Sequence, residues 1–189
     1  MTTFLIIIAS FLLTVPVLSF LEWLVHGKFM HGIMPTDYLQ ELAKNLFQDQ
    51  HKEHHTDYPP RDYQNSDHGS DVNLPWWVGA LAVGVMSVPG SLVSYFTGHW
   101  EIEWTVAVTT ALYFRAYNYV HTCFHVPNGC RWFEKTGLYR RMNRYHQVHH
   151  VRNEKWGQLI NICLVCPFAD WIMKTWLQPA KSNGNPVRG

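Results

Sequence analysis

Three long stretches almost free of charge constrain this 189-residue chain more than any other feature. Residues 4–21 and 74–98 contain no Asp, Glu, Lys or Arg, and residues 104–120 contain only Arg115. A helix of about 20 apolar residues crosses the hydrocarbon layer of a bilayer, and a helix satisfies its own backbone groups there. The expected fold class is an all-α membrane protein. Three transmembrane helices, at about 4–25, 74–98 and 102–120, are joined by an interfacial or re-entrant segment and capped by a cytosolic, helical, histidine-rich region. One domain covering 1–189 is expected. Trp76 and Trp77 at one border and Trp100 and Trp104 at the other stand where interfacial aromatics concentrate.

The basic residues orient these spans, because Lys and Arg accumulate in cytosolic loops. Lys28, Lys44, Lys52 and Arg61 follow the first span, and ten more follow Val120, from Arg131 to Arg188. Arg115 lies near the inner end of the third span, within snorkelling reach of the interface. The predicted topology has the N-terminus outside, 26–73 inside, a tight outer turn near 99–103 and everything after 120 inside. The first segment is expected to be a retained anchor, since no Lys or Arg precedes it and no small-residue cleavage site follows. A formal net charge of +1 removes any electrostatic case for a nucleic-acid partner. The four cysteines, Cys123, Cys130, Cys163 and Cys166, fall on the inner side, where thiols stay reduced. Cys163 and Cys166 have redox-pair spacing but lie in an apolar run, which favours packing.

Between the spans, a helix is predicted over 36–55 with Thr36 as its N-cap, followed by a Pro-, Asp-, Asn-, Ser- and Gly-rich loop to residue 73. A second helix, 131–151, mixes basic and aromatic residues and suits a surface facing lipid headgroups. Residues 159–177 are too short to span before Pro167 and are expected to be interfacial or re-entrant. The polar tail 181–189 is expected to be disordered.

Ten of the twelve histidines fall in four blocks, all on the predicted cytosolic side. They are His26 and His31; His51, His54 and His55; His121 and His125; and His146, His149 and His150. Residues three and four apart share a helix face, so each of the last three blocks would present a preformed cluster of first-row metal ligands. His26 and His31 are five apart, about 140° on an α-helix, so the first helix is expected to fray beside Gly27 and Gly32. Ten crowded imidazoles would lose solvation and invite protonation without a metal. One ion has too few positions for ten nitrogens, so two ions are favoured. His68 and His99 are not counted as ligands. Glu22, four residues before His26, is the best-placed acceptor for an outer ring N–H, with Asp57, Asn118 and Asp170 as further candidates.

The run Glu22-Trp-Leu-Val-His26, the third block with Tyr117 and Asn118 before it, and the last block followed by Pro167-Phe-Ala-Asp170-Trp together resemble the fatty acid hydroxylase superfamily of membrane oxygenases. That family includes fatty acid 2-hydroxylases, sterol desaturases and methyl-sterol oxidases, with carotenoid hydroxylases as close relatives, and the likeness extends over about 22–175. It departs at 58–73, which lacks the usual continuation of the second box, and at Asn118, where Asp is common. The resemblance implies a helical cap over a pair of Fe ions, with Zn possible in purified protein, and a lipid channel open to the bilayer. It implies a hydroxylase that uses O2 to attack a C–H bond of a lipid, a fatty acyl chain first among them. With no fused haem or flavin domain, electrons would come from outside, for instance from a ferredoxin or small haem protein. The expected location is a bacterial inner membrane or the endoplasmic reticulum. Rival functions are a desaturase or a sterol or carotenoid hydroxylase of the same superfamily, and a membrane metal-binding or transport protein. A transporter would carry His or acidic residues within its spans.

Overall fold

The structure, a computed structural model, describes residues 2–59, 64, 73–152 and 159–177, without the Arg152 side chain. Most of the loop 56–73, with Arg61 and His68, and the tail 181–189 lie outside the described residues. The protein is all-helical, with no strand among the described residues.

Helix α1, Thr2–Glu22, continues as a π-helical segment, Trp23–Met30. Helix α2, Asp37–Ala43, passes through a second π segment, Lys44–Gln48, into α3, Asp49–Asp57. Thr36 is the N-cap as predicted, its hydroxyl accepting Leu39 N–H at 3.2 Å. Helices α4, Trp76–Thr97, and α5, Glu101–His125, form a hairpin. Its turn depends on Gly98, whose left-handed φ of 73° suits a residue without a Cβ. The predicted outer turn at 99–103 is thus shorter, since α5 already begins at Glu101.

The expected single helix over 131–151 is instead two, α6, Arg131–Glu134, and α7, Gly137–Arg152. Thr136 breaks the run because its hydroxyl caps α7, accepting Tyr139 N–H at 3.0 Å. Residues 159–167 cross the bundle as a non-helical strap leading into α8, Phe168–Met173.

Two helical stretches, Thr2–Met30 and Trp76–Thr97, are long and apolar enough to cross a membrane. Their outward side chains, among them Leu12, Leu13, Val17, Leu81, Val88 and Phe96, are exposed and apolar, the pattern of helices solvated by lipid. Helix α5 is long enough too, but carries Glu101, Glu103 and Arg115. It packs against both α1 and α4. One core cluster joins Tyr117, Val120 and Phe124 of α5 to Tyr139 of α7 and Leu164 of the strap. A second sets Ile162 of the strap and Ala169 of α8 against Trp23. These clusters fix the inner ends of the helices, where the histidine blocks lie.

Candidate metal centre

The π segment Trp23–Met30 resolves the awkward spacing of the first block. A π turn bonds residues five apart, so His26 and His31 come to one side without fraying, their ring centroids 5.4 Å apart. The chain then turns sharply, with Gly32 N–H donating to Lys28 O at 3.0 Å. A Cβ at Gly32 would stand 2.4 Å from that carbonyl oxygen, so glycine is required there by close approach.

Nine of the ten block histidines are buried, and His55 is half-buried. They form two nests. His54, His121, His125, His146 and His150 can bring one ring nitrogen each within 4.8 Å of one another, and so can His26, His31, His51 and His149. The partition cuts across the blocks: the second block gives His54 to one nest and His51 to the other, and the last gives His146 and His150 to one and His149 to the other. His55 lies between, its Nε2 3.2 Å from His51 Nε2 and its ring stacked on His150 at 4.2 Å.

Facing nitrogens are close: His31 to His51 at 2.8 Å, His31 to His149 at 3.3 Å and His125 to His146 at 2.9 Å. Neighbouring ligands on one ion with bonds of 2.0–2.1 Å would stand roughly 3.0–3.4 Å apart. His26 Nε2 and both ring nitrogens of His54 are buried with no hydrogen-bond partner. Orphaned imidazole nitrogens in an all-nitrogen donor set fit a first-row metal ion.

Burial, first, and neighbouring imidazoles, second, hold His31, His51, His54, His55, His146 and His150 well below the usual histidine range. His149 is pushed down to about 4 by burial, against its bond to the Ile160 carbonyl. The rings are therefore neutral at pH 7, the form that binds metal.

Three ring nitrogens meet backbone carbonyls. His26 Nδ1 bonds to Ile162 O at 2.7 Å, His149 Nδ1 to Ile160 O at 3.0 Å and His150 Nδ1 to Tyr58 O at 3.0 Å. Glu22 sits further out, accepting the Tyr113 hydroxyl at 2.6 Å and Leu164 N–H. Asp170 accepts N–H groups of the strap. Asn118 accepts Leu74 N–H at 3.0 Å and donates to Leu74 O at 3.1 Å, pinning the start of α4 to α5. Asp57 ends α3, one residue before Tyr58. The strap carbonyls were not visible to sequence reasoning, although Asn161, a polar residue in an apolar run, marked the place. His99 sits part-exposed in the α4–α5 turn, 3.1 Å from Glu101, apart from both nests.

The structure also joins Cys123 and Cys130 in a disulfide, correcting the expectation of four free thiols. The turn at Asn128, with a φ of 61°, and the bond from Gly129 N–H to Val126 O return the chain, leaving the two Cα atoms 5.3 Å apart. Cys163 and Cys166 are free.

An apolar cavity lies between α1, α4 and α5, lined by Leu18, Val25, His26, Val78, Phe114 and Tyr117 among others. A smaller one shares Met30, Phe47, Leu74 and Tyr117 with it and reaches His51, His54 and His121. Both nests are therefore reached from the apolar side of the bundle.

Fold and site together define an all-helical protein with spanning-length apolar helices and two adjoining histidine nests able to hold metal ions. A sequence model described as Fatty acid hydroxylase matches residues 11–175, and the chain belongs to that family, within the fatty acid hydroxylase/sterol desaturase superfamily. Membership makes it an oxygenase or oxidoreductase in general, of a membrane-associated family. No match is found among curated proteins or among solved structures.

Proposed function

We propose that this protein is an integral membrane, di-iron oxygenase that hydroxylates a C–H bond of a lipid, a fatty acyl chain first among them. The observation that carries this is an apolar cavity that reaches His26 and shares its margin with a smaller one lined by His51, His54 and His121, so that both nests are approached from it. His54, His121, His125, His146 and His150 would hold one ion and His26, His31, His51 and His149 the other, with His55 between them. Iron bound there would supply reductive activation of O2, with electrons from an external donor such as a ferredoxin or small haem protein.

The chain itself binds, orients and shields. Leu18, Val25, Val78 and Phe114 offer an apolar chain a wall without competing polar groups. Met30, Phe47, Leu74 and Tyr117 form the shared margin between the two cavities and direct that chain toward the nests. The Ile162, Ile160 and Tyr58 carbonyls hold the proton on Nδ1 of their histidines, leaving Nε2 for metal.

Three spans at about 4–25, 74–98 and 102–120 with the nests on the cytosolic side are supported by the distribution of Lys and Arg. The Cys123–Cys130 disulfide is the opposing observation, since such bonds persist in oxidising compartments. Labelling of a cysteine introduced in the tail from either side of the membrane decides between them.

The function is tested with purified, iron-loaded protein given O2, an electron donor and bilayer lipid, followed by mass spectrometry. A gain of one oxygen on an acyl chain, absent without the donor, is expected. Bound metal with no oxidised lipid, and metal sensitivity of a deletion strain with unchanged lipids, would favour a metal-binding or transport protein instead.

A further inference from the structure

The strap 159–167 holds two imidazoles, His149 through the Ile160 carbonyl and His26 through the Ile162 carbonyl, and both belong to the four-histidine nest. The Ile162 carbonyl and the Cys163 N–H are the two ends of one peptide group. On one side that group accepts His26 Nδ1–H at 2.7 Å; on the other it donates to Asp170 Oδ2 at 2.8 Å. Asp170 Oδ1 accepts Ile162 N–H at 3.1 Å and also the Thr175 hydroxyl. The peptide that holds His149 is tied to the same pair, because Asn161 N–H donates to Thr175 O at 2.9 Å. Asp170 is fully buried.

A carboxylate bonded to a metal-ligating histidine fixes its tautomer and raises its basicity. Here a peptide stands between the two. Hydrogen bonds in series polarise one another in a low-dielectric interior, so the carboxylate strengthens the Ile162 oxygen as an acceptor. His26 Nε2, buried and without a partner, is then left as the ring's free lone pair, facing the nest. The five-histidine nest has a different support, His150 being held by Tyr58 O at the end of α3.

We propose that Asp170 is a positioning residue for the metal ion of the four-histidine nest alone, acting on His26 through the 162–163 peptide. This rests on the assignment of the two nests as metal sites.

The test is a titration of the full-length metal-free protein with Co(II), followed by its visible absorption. Wild type is expected to take up two ions in two phases. Asp170→Asn, which keeps the shape but loses the charge and one acceptor, is expected to weaken one phase by about 10–100-fold and spare the other. His26→Ala should abolish the phase that Asp170→Asn weakens. Thr175→Val, which removes a hydroxyl that donates to Asp170 and accepts Trp23 Nε1–H, should weaken that phase by a smaller factor; with Trp23→Phe, which loses only the latter bond, as its control, it decides the matter if Asp170→Asn does not fold. The surviving phase and an unchanged helical circular dichroism spectrum serve as the folding control. Equal weakening of both phases, or of neither, overturns the role of Asp170 and leaves the metal sites standing. A wild-type chain that takes up no pair of ions overturns the metal sites, and this inference with them.

Discussion

His125 and His149 are both fully buried, yet they serve different nests. Removing either ring should cost one ion and, because both ions are needed, all turnover. His125→Ala and His149→Ala are accordingly expected to bind about half the wild-type metal and to form no product while still inserting into membranes, since neither ring takes part in spanning. His99→Ala, at the opposite end of α5, should match wild type in both measurements. Metal analysis of the three purified proteins beside a product assay checks this, and equal activity in all three would contradict the ligand assignment. At this scale much was legible: type and spacing singled out the nine rings that the structure gathers into two nests, with His55 between them, and Thr36 stood out from its place before a helix. Peptide acceptors such as Ile160 O and Ile162 O were not, because any residue supplies a carbonyl and only the folded backbone decides where it points.

The π segment Trp23–Met30 is the element on which the first block depends. Periodicity read at 3.6 residues per turn set His26 and His31 on different faces, and a frayed helix was the natural expectation; bonding across five residues achieves the same convergence with the backbone groups satisfied. Gly32 closes that segment against Lys28 O. Gly32→Ala would force the backbone apart and should destabilise the protein by roughly 1–3 kcal/mol, the usual range for overpacking. It should also turn His31 out of its nest. Thermal denaturation together with metal content tests this, and unchanged values in both would show that the turn tolerates a Cβ. The break between α6 and α7 was legible in principle from Thr136-Gly137, a capping residue beside a helix breaker. The continuous basic and aromatic pattern around it concealed the break.

For the whole molecule, the crowding of neutral imidazoles ties stability to pH. The folded chain holds His31, His51, His54, His146 and His150 below their unfolded value of about 6.5, with His149 at about 4. The unfolded state therefore binds more protons between those values. The contribution is fully present above about pH 6.5 and is lost as pH falls toward 4. The detergent-solubilised metal-free protein should melt several degrees lower at pH 5 than at pH 7.5, given that about 1 kcal/mol moves the midpoint of a domain of this size by roughly 2–4 °C. Equal melting temperatures at the two pH values would mean that the rings are solvated rather than buried.

Residue type and order were enough to show that the chain is helical, that it carries long apolar stretches, and that ten histidines fall in four blocks spaced to converge. These follow from residue type and from spacings of a few positions, which local geometry converts directly into faces of a helix. It took the folded chain to divide the blocks between two nests, to link Asp170 to His26 through a peptide, and to bring Cys123 to Cys130. Each of these depends on how separate segments pack and turn in three dimensions, and side-chain burial, not the order of residues along the chain, selects among the possible arrangements.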